Sequence, residues 1–316
     1  MTLVIGTDEA GYGPNLGPLV VAATAWHAAD DDAPDAGTAD PAPRFDRATA
    51  ALVAACGAAP WADSKRIYQP AGGLGALETG VLAALLDCPA DGRALADRLA
   101  IAVEPPAPPE WPRFLATPLP VAAEGQALER LRGAVADVLP RHGLRLVAIR
   151  CRVVQPAAFN ALLASGLNKS DILSRTTLDL AATLRAEGAG TRAEIWCDRH
   201  GGRKAYAALV GRHFGAALVQ TVAETAAVSR YHLPGDRCGI EFAVGGEARV
   251  PVALASMTAK YVRELAMAAF NAHWSAAEPG LVPTAGYPLD ARRWWREAAA
   301  TVGRTGLPDD AIWRRA

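Results

Sequence analysis

Residues 3–23 have the sequence LVIGTDEAGYGPNLGPLVVAA, in which a short turn joins two apolar runs. The runs at residues 3–5 and 19–23 are bounded by Gly and Pro, which is typical of buried strands. Asp8 and Glu9 stand where the first strand ends, and Gly11 and Gly13 allow the backbone to approach a ligand closely. This stretch therefore predicts two strands joined by an acidic, glycine-rich turn.

The acidic pair has two interpretations. Two carboxylates beside a glycine-rich turn favour a hard divalent cation, because such ions prefer oxygen ligands. The alternative is a hairpin whose acidic pair is only solvated, and the pair alone favours this alternative, since Asp-Glu pairs are common. The stretch has neither the lysine of a P-loop nor the glycine spacing of a dinucleotide-binding turn, so both are poor fits.

Composition limits the classes of protein that the chain can belong to. A chain of 316 residues with 51% hydrophobic residues can bury a sizeable core, as one large domain or two. Its net charge of -1 means that any binding of nucleic acid must use local basic patches. The five cysteines form no CxxC pair, which predicts reduced thiols and a cytoplasmic protein, and we expect no signal peptide or membrane span.

Apolar patterning along the chain predicts strands interleaved with helices. Helical spacing is found at residues 45–56, 124–139, 170–184 and 252–274, and short apolar strands at 145–154, 193–197, 218–222 and 239–244. This alternation indicates an α/β protein with a partly parallel sheet. The acidic stretch 28–43 and the proline-rich stretch 104–120 predict surface loops without regular structure.

Two further acidic groups stand at ends of predicted elements. Asp198 ends the strand at 193–197, and Glu247 follows the turn Gly245-Gly246. If these two joined Asp8 and Glu9 at one edge of the sheet, the four carboxylates would repel one another unless cations were bound. Two Mg²⁺ ions about 3.5–4 Å apart are the usual arrangement in nucleases.

Three basic residues are candidates to hold phosphates near such a site: Lys65, Arg203 and Lys260. For Lys65 the sequence leaves an alternative open, because Asp63 and Ser64 before it are typical caps of a helix N-terminus. The six histidines are scattered without HxH or HExxH spacing, which makes a zinc site a poor expectation.

Taken in order, these motifs resemble ribonuclease HII. The resemblance rests on Asp8-Glu9-Ala10-Gly11-Tyr12-Gly13, Asp63-Ser64-Lys65, the strand-end Asp198, Glu247 before Arg249-Val250-Pro251 and a helix with Ala255-Ser256 and Ala259-Lys260, and Gly286-Tyr287. These segments follow the order of the family from residue 3 to about residue 290. Their order is far more specific than any single motif.

The resemblance implies a fold, a reaction and a set of site residues. The fold would be an α/β ribonuclease H-like one, with a five-stranded mixed sheet flanked by helices and a helical C-terminal part. The catalytic domain would span residues 1–275, with inserts near 28–43 and 104–125, and a C-terminal helical extension at 276–316 would pack on it. The implied reaction is hydrolysis, dependent on Mg²⁺ or Mn²⁺, of the RNA strand in RNA–DNA hybrids or of ribonucleotides embedded in duplex DNA. We expect a monomer whose partner is nucleic acid.

The implied site has two groups of residues. Asp8, Glu9, Asp198 and Glu247 would be catalytic and would hold the metal. The substrate would be bound by Gly11, Tyr12, Gly13, Ser64, Lys65, Arg203, Lys260 and Tyr287.

The chain departs from the family at two of these positions. Tyr12 stands where the family usually has Arg, and Glu247 stands where it usually has Asp. The first departure leaves open a nuclease of the same fold that has shifted to another substrate such as structured DNA. A separate alternative is a protein that binds hybrids without cutting them.

Overall fold

The computed structural model describes residues 1–30, 40–68, 73–103 and 107–315. The strands in these ranges are β1 (Thr2–Ala10), β2 (Leu19–Ala28), β3 (Ala102–Val103), β4 (Leu144–Val154), β5 (Arg192–Asp198), β6 (Gln220–Glu224), β7 (Val228–Leu233) and β8 (Cys238–Ala243). They form one mixed sheet in the order β3-β4-β2-β1-β5-β8-β7-β6. Strand β1 is antiparallel to β2 and parallel to β5, so the acidic turn and the end of β5 lie at neighbouring places on one edge.

The helices of the described ranges flank this sheet. They are α1 (Ala42–Cys56), α2 (Ser64–Ile67), α3 (Gly75–Ala84), α4 (Gly92–Arg98), α5 (Trp111–Leu115), α6 (Gly125–Arg141), α7 (Pro156–Ala164), α8 (Lys169–Glu187), α9 (Ala207–Phe214), α10 (Val250–Ala277) and α11 (Pro288–Thr305). None of them is both long enough and apolar enough to cross a membrane.

The two faces of the sheet carry separate hydrophobic cores. Along β1, Val4 packs into the core that contains α10, whereas Leu3 and Ile5 pack into the core that contains α8. Successive side chains of a strand point to opposite faces, so a continuous apolar run is required where helices cover both.

Helix α10 lies unusually close to β1 because of Gly6. A Cβ atom at residue 6 would stand only 2.2 Å from the carbonyl carbon of Pro251, at the start of the helix. The hydroxyl of Thr24 also donates to the carbonyl of Pro251 at 2.8 Å. The start of α10 is therefore held against the strand that carries Asp8 and Glu9.

The α/β class, the mixed sheet and the helical C-terminal part are confirmed by this structure. The predicted number of five strands is corrected to eight within the described ranges. The central strands follow the order β4-β2-β1-β5-β8, while β3 extends one edge and the hairpin of β7 and β6 extends the other. The predicted boundary near residue 275 falls within the last turn of α10 and stays a prediction.

The expectation of no regular structure at 104–120 is wrong, because α5 forms there. Pro112 is one of its first residues, where the missing N–H costs no hydrogen bond. The helix is held by aromatic packing: Phe114 is buried, and Trp111 stacks on it with ring centroids 4.3 Å apart. Residues 31–39 of the other predicted insert, and residues 104–106 of this one, lie outside the described residues.

Candidate active site

The four predicted carboxylates meet at one edge of the sheet. Asp8 and Glu9 lie near the end of β1, and Asp198 ends the neighbouring parallel strand β5. Glu247 lies in the 3-10 turn Gly246–Ala248 between β8 and α10. The backbone N–H of Gly246 donates to Oδ1 of Asp198 at 2.8 Å, which ties this turn to the end of β5.

Asp8 is the most buried of the four, with 7% of its surface exposed. Burial raises the pKa of Asp8 well above its usual value, and the charges of Glu9, Asp198 and Glu247 raise it further, while the nearby hydroxyl of Ser256 lowers it. The backbone N–H of Glu9 also donates to Oδ1 of Asp8 at 2.8 Å. The other three carboxylates are thus close enough to act on Asp8 electrostatically.

Two serines hold Glu247 from the side of the helices. The hydroxyl of Ser256, in α10, donates to Oε1 of Glu247. The hydroxyl of Ser64, the first residue of α2, lies 3.3 Å from the same oxygen and 3.0 Å from the hydroxyl of Ser256. Ser64 therefore contacts the acidic cluster. Lys65 lies in α2, but its side chain falls outside the part that the structure describes.

The turn after β1 is packed against two buried arginines. Gly11 has a φ of 84°, and a Cβ atom there would stand 2.4 Å from the carbonyl oxygen of Pro18 and 2.7 Å from Nε of Arg263. From the other end of the chain, Arg314 donates to the carbonyl oxygens of Gly11 and Tyr12 at 2.7 and 3.0 Å. These contacts leave no room for a side chain at residue 11.

The cleft also carries a basic residue, Lys260, and two tyrosines. Nζ of Lys260 pairs with Glu264 at 2.7 Å and lies 4.7 Å from the ring centroid of Tyr68. The hydroxyl of Tyr68 donates to the same Glu264 at 3.0 Å. Burial, together with the charge of Glu264, raises the pKa of Tyr68 to about 12. Tyr287 is 51% exposed, so its ring is open to a ligand.

These groups surround a cleft of about 590 Å³. Ten of the twelve predicted site residues line it: Asp8, Glu9, Gly11, Tyr12, Gly13, Ser64, Asp198, Glu247, Lys260 and Tyr287. Arg203 is not part of this wall, since its guanidinium pairs with Asp171 and donates to Ser170 at 3.3 Å. It still acts on the turn, because its positive charge lowers the pKa of Tyr12, although burial and Glu9 raise that pKa overall.

Sequence reasoning left other lining residues out of the predicted site. Ser256 lies four positions before Lys260, and Arg263 and Glu264 lie three and four positions after it. Helical spacing therefore places all three on the same side of α10 as Lys260. Tyr68 follows Ser64 by one helical turn, and its backbone N–H donates to the carbonyl of Ser64 at 2.8 Å. Helical spacing from Lys260 could therefore have identified these further lining residues of α10.

The chemistry of the acidic cluster suits hard cations, because every side chain in it offers oxygen. Within the described ranges, however, no group of three or more His, Cys, Asp or Glu side chains is arranged to hold one metal ion. Asp8 nevertheless remains a buried carboxylate whose pKa is raised by three neighbouring acids. A bound cation would offset this repulsion.

Comparisons with known proteins find similarity in structure and none in sequence. No family model matches the chain, and no curated protein matches it. Ribonuclease HII of Archaeoglobus fulgidus, solved in complex with PCNA, is 16% identical with a TM-score of 0.45, over 99% of this chain and 94% of that one. Ribonuclease H2 of Pyrococcus horikoshii OT3 is 14% identical with a TM-score of 0.45, over 98% and 92%. Bst ribonuclease HIII in complex with Mn²⁺ is 14% identical with a TM-score of 0.42, over 99% and 66%.

Proposed function

We propose that this protein is a divalent-metal-dependent endonuclease that cleaves the RNA strand of RNA–DNA hybrids or at ribonucleotides embedded in duplex DNA. The observation that carries the proposal is that Glu9, Asp198 and Glu247 line one cleft together with the buried carboxyl of Asp8. A protein that only binds nucleic acid gains nothing from acidic groups facing the phosphates of its ligand, which disfavours the alternative of a non-cleaving binder.

In this proposal the four carboxylates hold Mg²⁺ or Mn²⁺. Such ions, when bound, lower the pKa of a coordinated water and stabilise negative charge on a phosphodiester. Ser64 and Ser256 keep the Glu247 side chain oriented through their hydroxyl contacts. The buried position of Asp8 limits the access of water to its carboxylate, and it strengthens the electrostatic interactions inside the site.

The remaining walls of the cleft would bind the substrate. The backbone of residues 11–13 faces the cleft and would contact 2'-hydroxyls, which double-stranded nucleic acids containing RNA display in their minor groove. The half-exposed ring of Tyr287 would stack on a sugar or base. Lys260 would hold a phosphate without reading sequence, sharing its charge with Glu264.

The first experiment is cleavage of three labelled substrates with Mg²⁺ or Mn²⁺: an RNA–DNA hybrid, duplex DNA with one ribonucleotide, and plain duplex DNA. We expect cleavage of the first two only, leaving a 3'-hydroxyl and a 5'-phosphate. Cleavage of plain or structured DNA at the same rate would identify a nuclease with a shifted substrate. Binding of hybrids without any cleavage would identify the non-cleaving binder.

Asp8→Asn and Asp198→Asn test the roles of the carboxylates. Each substitution should remove several kcal/mol of the charge stabilisation that bound ions give to the transition state, so we expect the rate of cleavage to fall at least about 10³-fold. Without metal, the Tm of Asp8→Asn should hold or rise, because the substitution relieves repulsion among four acids. Asp97→Asn, an exposed carboxylate on α4, is the matched control and should leave cleavage unchanged. Near-normal turnover in Asp198→Asn would contradict the assignment.

A further inference from the structure

Arg314 is a buried positive charge without an acidic partner among the residues that the structure describes. Its side chain is 0% exposed, and within the described ranges no carboxylate lies at ion-pair distance from it. Two carbonyl oxygens of the Gly11–Tyr12 turn accept from its terminal nitrogens, while Nε has no hydrogen-bond partner in the described part of the chain. Burial lowers the pKa of Arg314 to about 9, which reflects the cost of holding this charge away from water.

Lys169 places a second positive charge on the same turn. It is the first residue of the long helix α8, and its Nζ lies 4.6 Å from the ring centroid of Tyr12. No ion pair involves it among the residues that the structure describes. Burial and the charge of Arg314 lower the pKa of Lys169, so the two cations act on each other unfavourably.

The other charged groups around Tyr12 do not neutralise the positive charges of Lys169 and Arg314. The positive charge of Arg203 is already paired with Asp171. Glu9 is the acidic group that acts on Tyr12, and it belongs to the carboxylate cluster. Beside an acidic site, the Tyr12 side of the cleft therefore carries positive charge that no described carboxylate pairs with, at a helix N-terminus whose dipole has the same sign.

We propose that Lys169, with the ring of Tyr12 beneath it, forms a subsite for a backbone phosphate of the nucleic-acid strand. Arg314 serves as a buried positive charge behind it, holding the carbonyls of the turn inward so that they do not face the anion. Lys169 is half-buried and keeps access to solvent, so a phosphate can reach its ammonium group. The subsite rests on the proposed function only in taking nucleic acid as its ligand.

The subsite is tested by binding without catalysis. Fluorescence anisotropy with a duplex DNA that carries one ribonucleotide, in EDTA, gives the dissociation constant of full-length protein between 50 and 200 mM salt. Lys169→Ala should weaken binding to all duplexes alike and lower the salt dependence by about one phosphate contact. Lys169→Arg keeps the charge and should retain the salt dependence of the wild type.

Arg130→Ala is the control. It removes one exposed positive charge from α6, which packs on the opposite face of the sheet from α8, and it should leave the salt dependence unchanged. If Lys169→Ala leaves the salt dependence of binding unchanged, or if Arg130→Ala changes it equally, the subsite is overturned. Because no cleavage is measured, the two proposals fail separately. If the wild type cuts none of the three substrates but Lys169→Ala still lowers the salt dependence of binding, the nuclease proposal is overturned and the subsite is supported.

Discussion

Substituting Gly11 with alanine tests whether the turn beside the carboxylates is packed as the structure has it. Gly11 has a φ of 84°, a conformation that costs an L-residue about 1–2 kcal/mol. The added Cβ would also stand 2.4 Å from the carbonyl oxygen of Pro18 and 2.7 Å from Nε of the buried Arg263. Relief of such contacts requires movement of packed groups, at a cost of about 1–3 kcal/mol.

Gly57 supplies a control with the same backbone conformation and no steric contact. It follows α1, its φ is also 84°, and a Cβ atom there would have no heavy atom within 4 Å. Gly57→Ala therefore has the conformational cost of a positive φ without a steric cost. Both alanine substitutions also lower the entropy of the unfolded state, and this effect is shared. The difference between the two variants should be the steric cost, about 1–3 kcal/mol.

Urea unfolding of both variants measures this difference, and cleavage assays give a second readout. We expect Gly11→Ala to be the less stable variant and to cut ribonucleotide-containing duplexes more slowly, because the displaced turn lines the cleft. Gly57→Ala should cut normally. Equal free energies of unfolding in the two variants would refute the packing described for the turn.

Two further predictions concern a buried carboxylate and the ring of Tyr12. Glu78 is fully buried and accepts from the backbone N–H groups of residues 121–123 at 2.8, 2.6 and 2.7 Å, so Glu78→Ala should cost at least about 3 kcal/mol in urea unfolding. The exposed Glu129→Ala should stay within about 0.5 kcal/mol of the wild type, and equal effects would contradict this anchoring role. Tyr12→Arg adds a cation beside Lys169, so anisotropy should show tighter binding and a steeper salt dependence, by about one contact, while the cut position stays the same. A moved cut site would show that the backbone of the turn does not read the 2'-hydroxyl.

Local sequence signals predict the central strands and place the four carboxylates at strand ends or turns, while the roles of these carboxylates stay predictions. The apolar run before Asp8 predicts β1, and the strand that ends on Asp198 predicts β5. Their convergence follows from parallel pairing of the two strands, which aligns Thr7 with Cys197 just before the acidic groups. Glu247 is predicted because it directly follows the turn Gly245-Gly246, and α10 begins three residues after it.

Elements stabilised by distant contacts gave no such signal. The proline density around α5 predicts a loop, yet the buried ring of Phe114 holds a helix there. Strand β6 overlaps the run at 218–222 that predicts a strand, but its pairing partner β7, at 228–233, has no predicted strand. Tertiary packing decides such elements, and local patterning cannot report it.

The buried arginines of the turn are the clearest case of information that local sequence does not carry. Arg314 reaches the carbonyls of Gly11 and Tyr12 across about three hundred residues, and its own backbone N–H donates to Asn15 at 2.7 Å. The backbone N–H of Asn15 in turn donates to Gly286 at 2.8 Å. The sheet thus positions the acidic side of the cleft, while the C-terminal part fixes the backbone of the glycine turn. A change in that distant segment would alter the proposed substrate contacts without touching any of the four carboxylates.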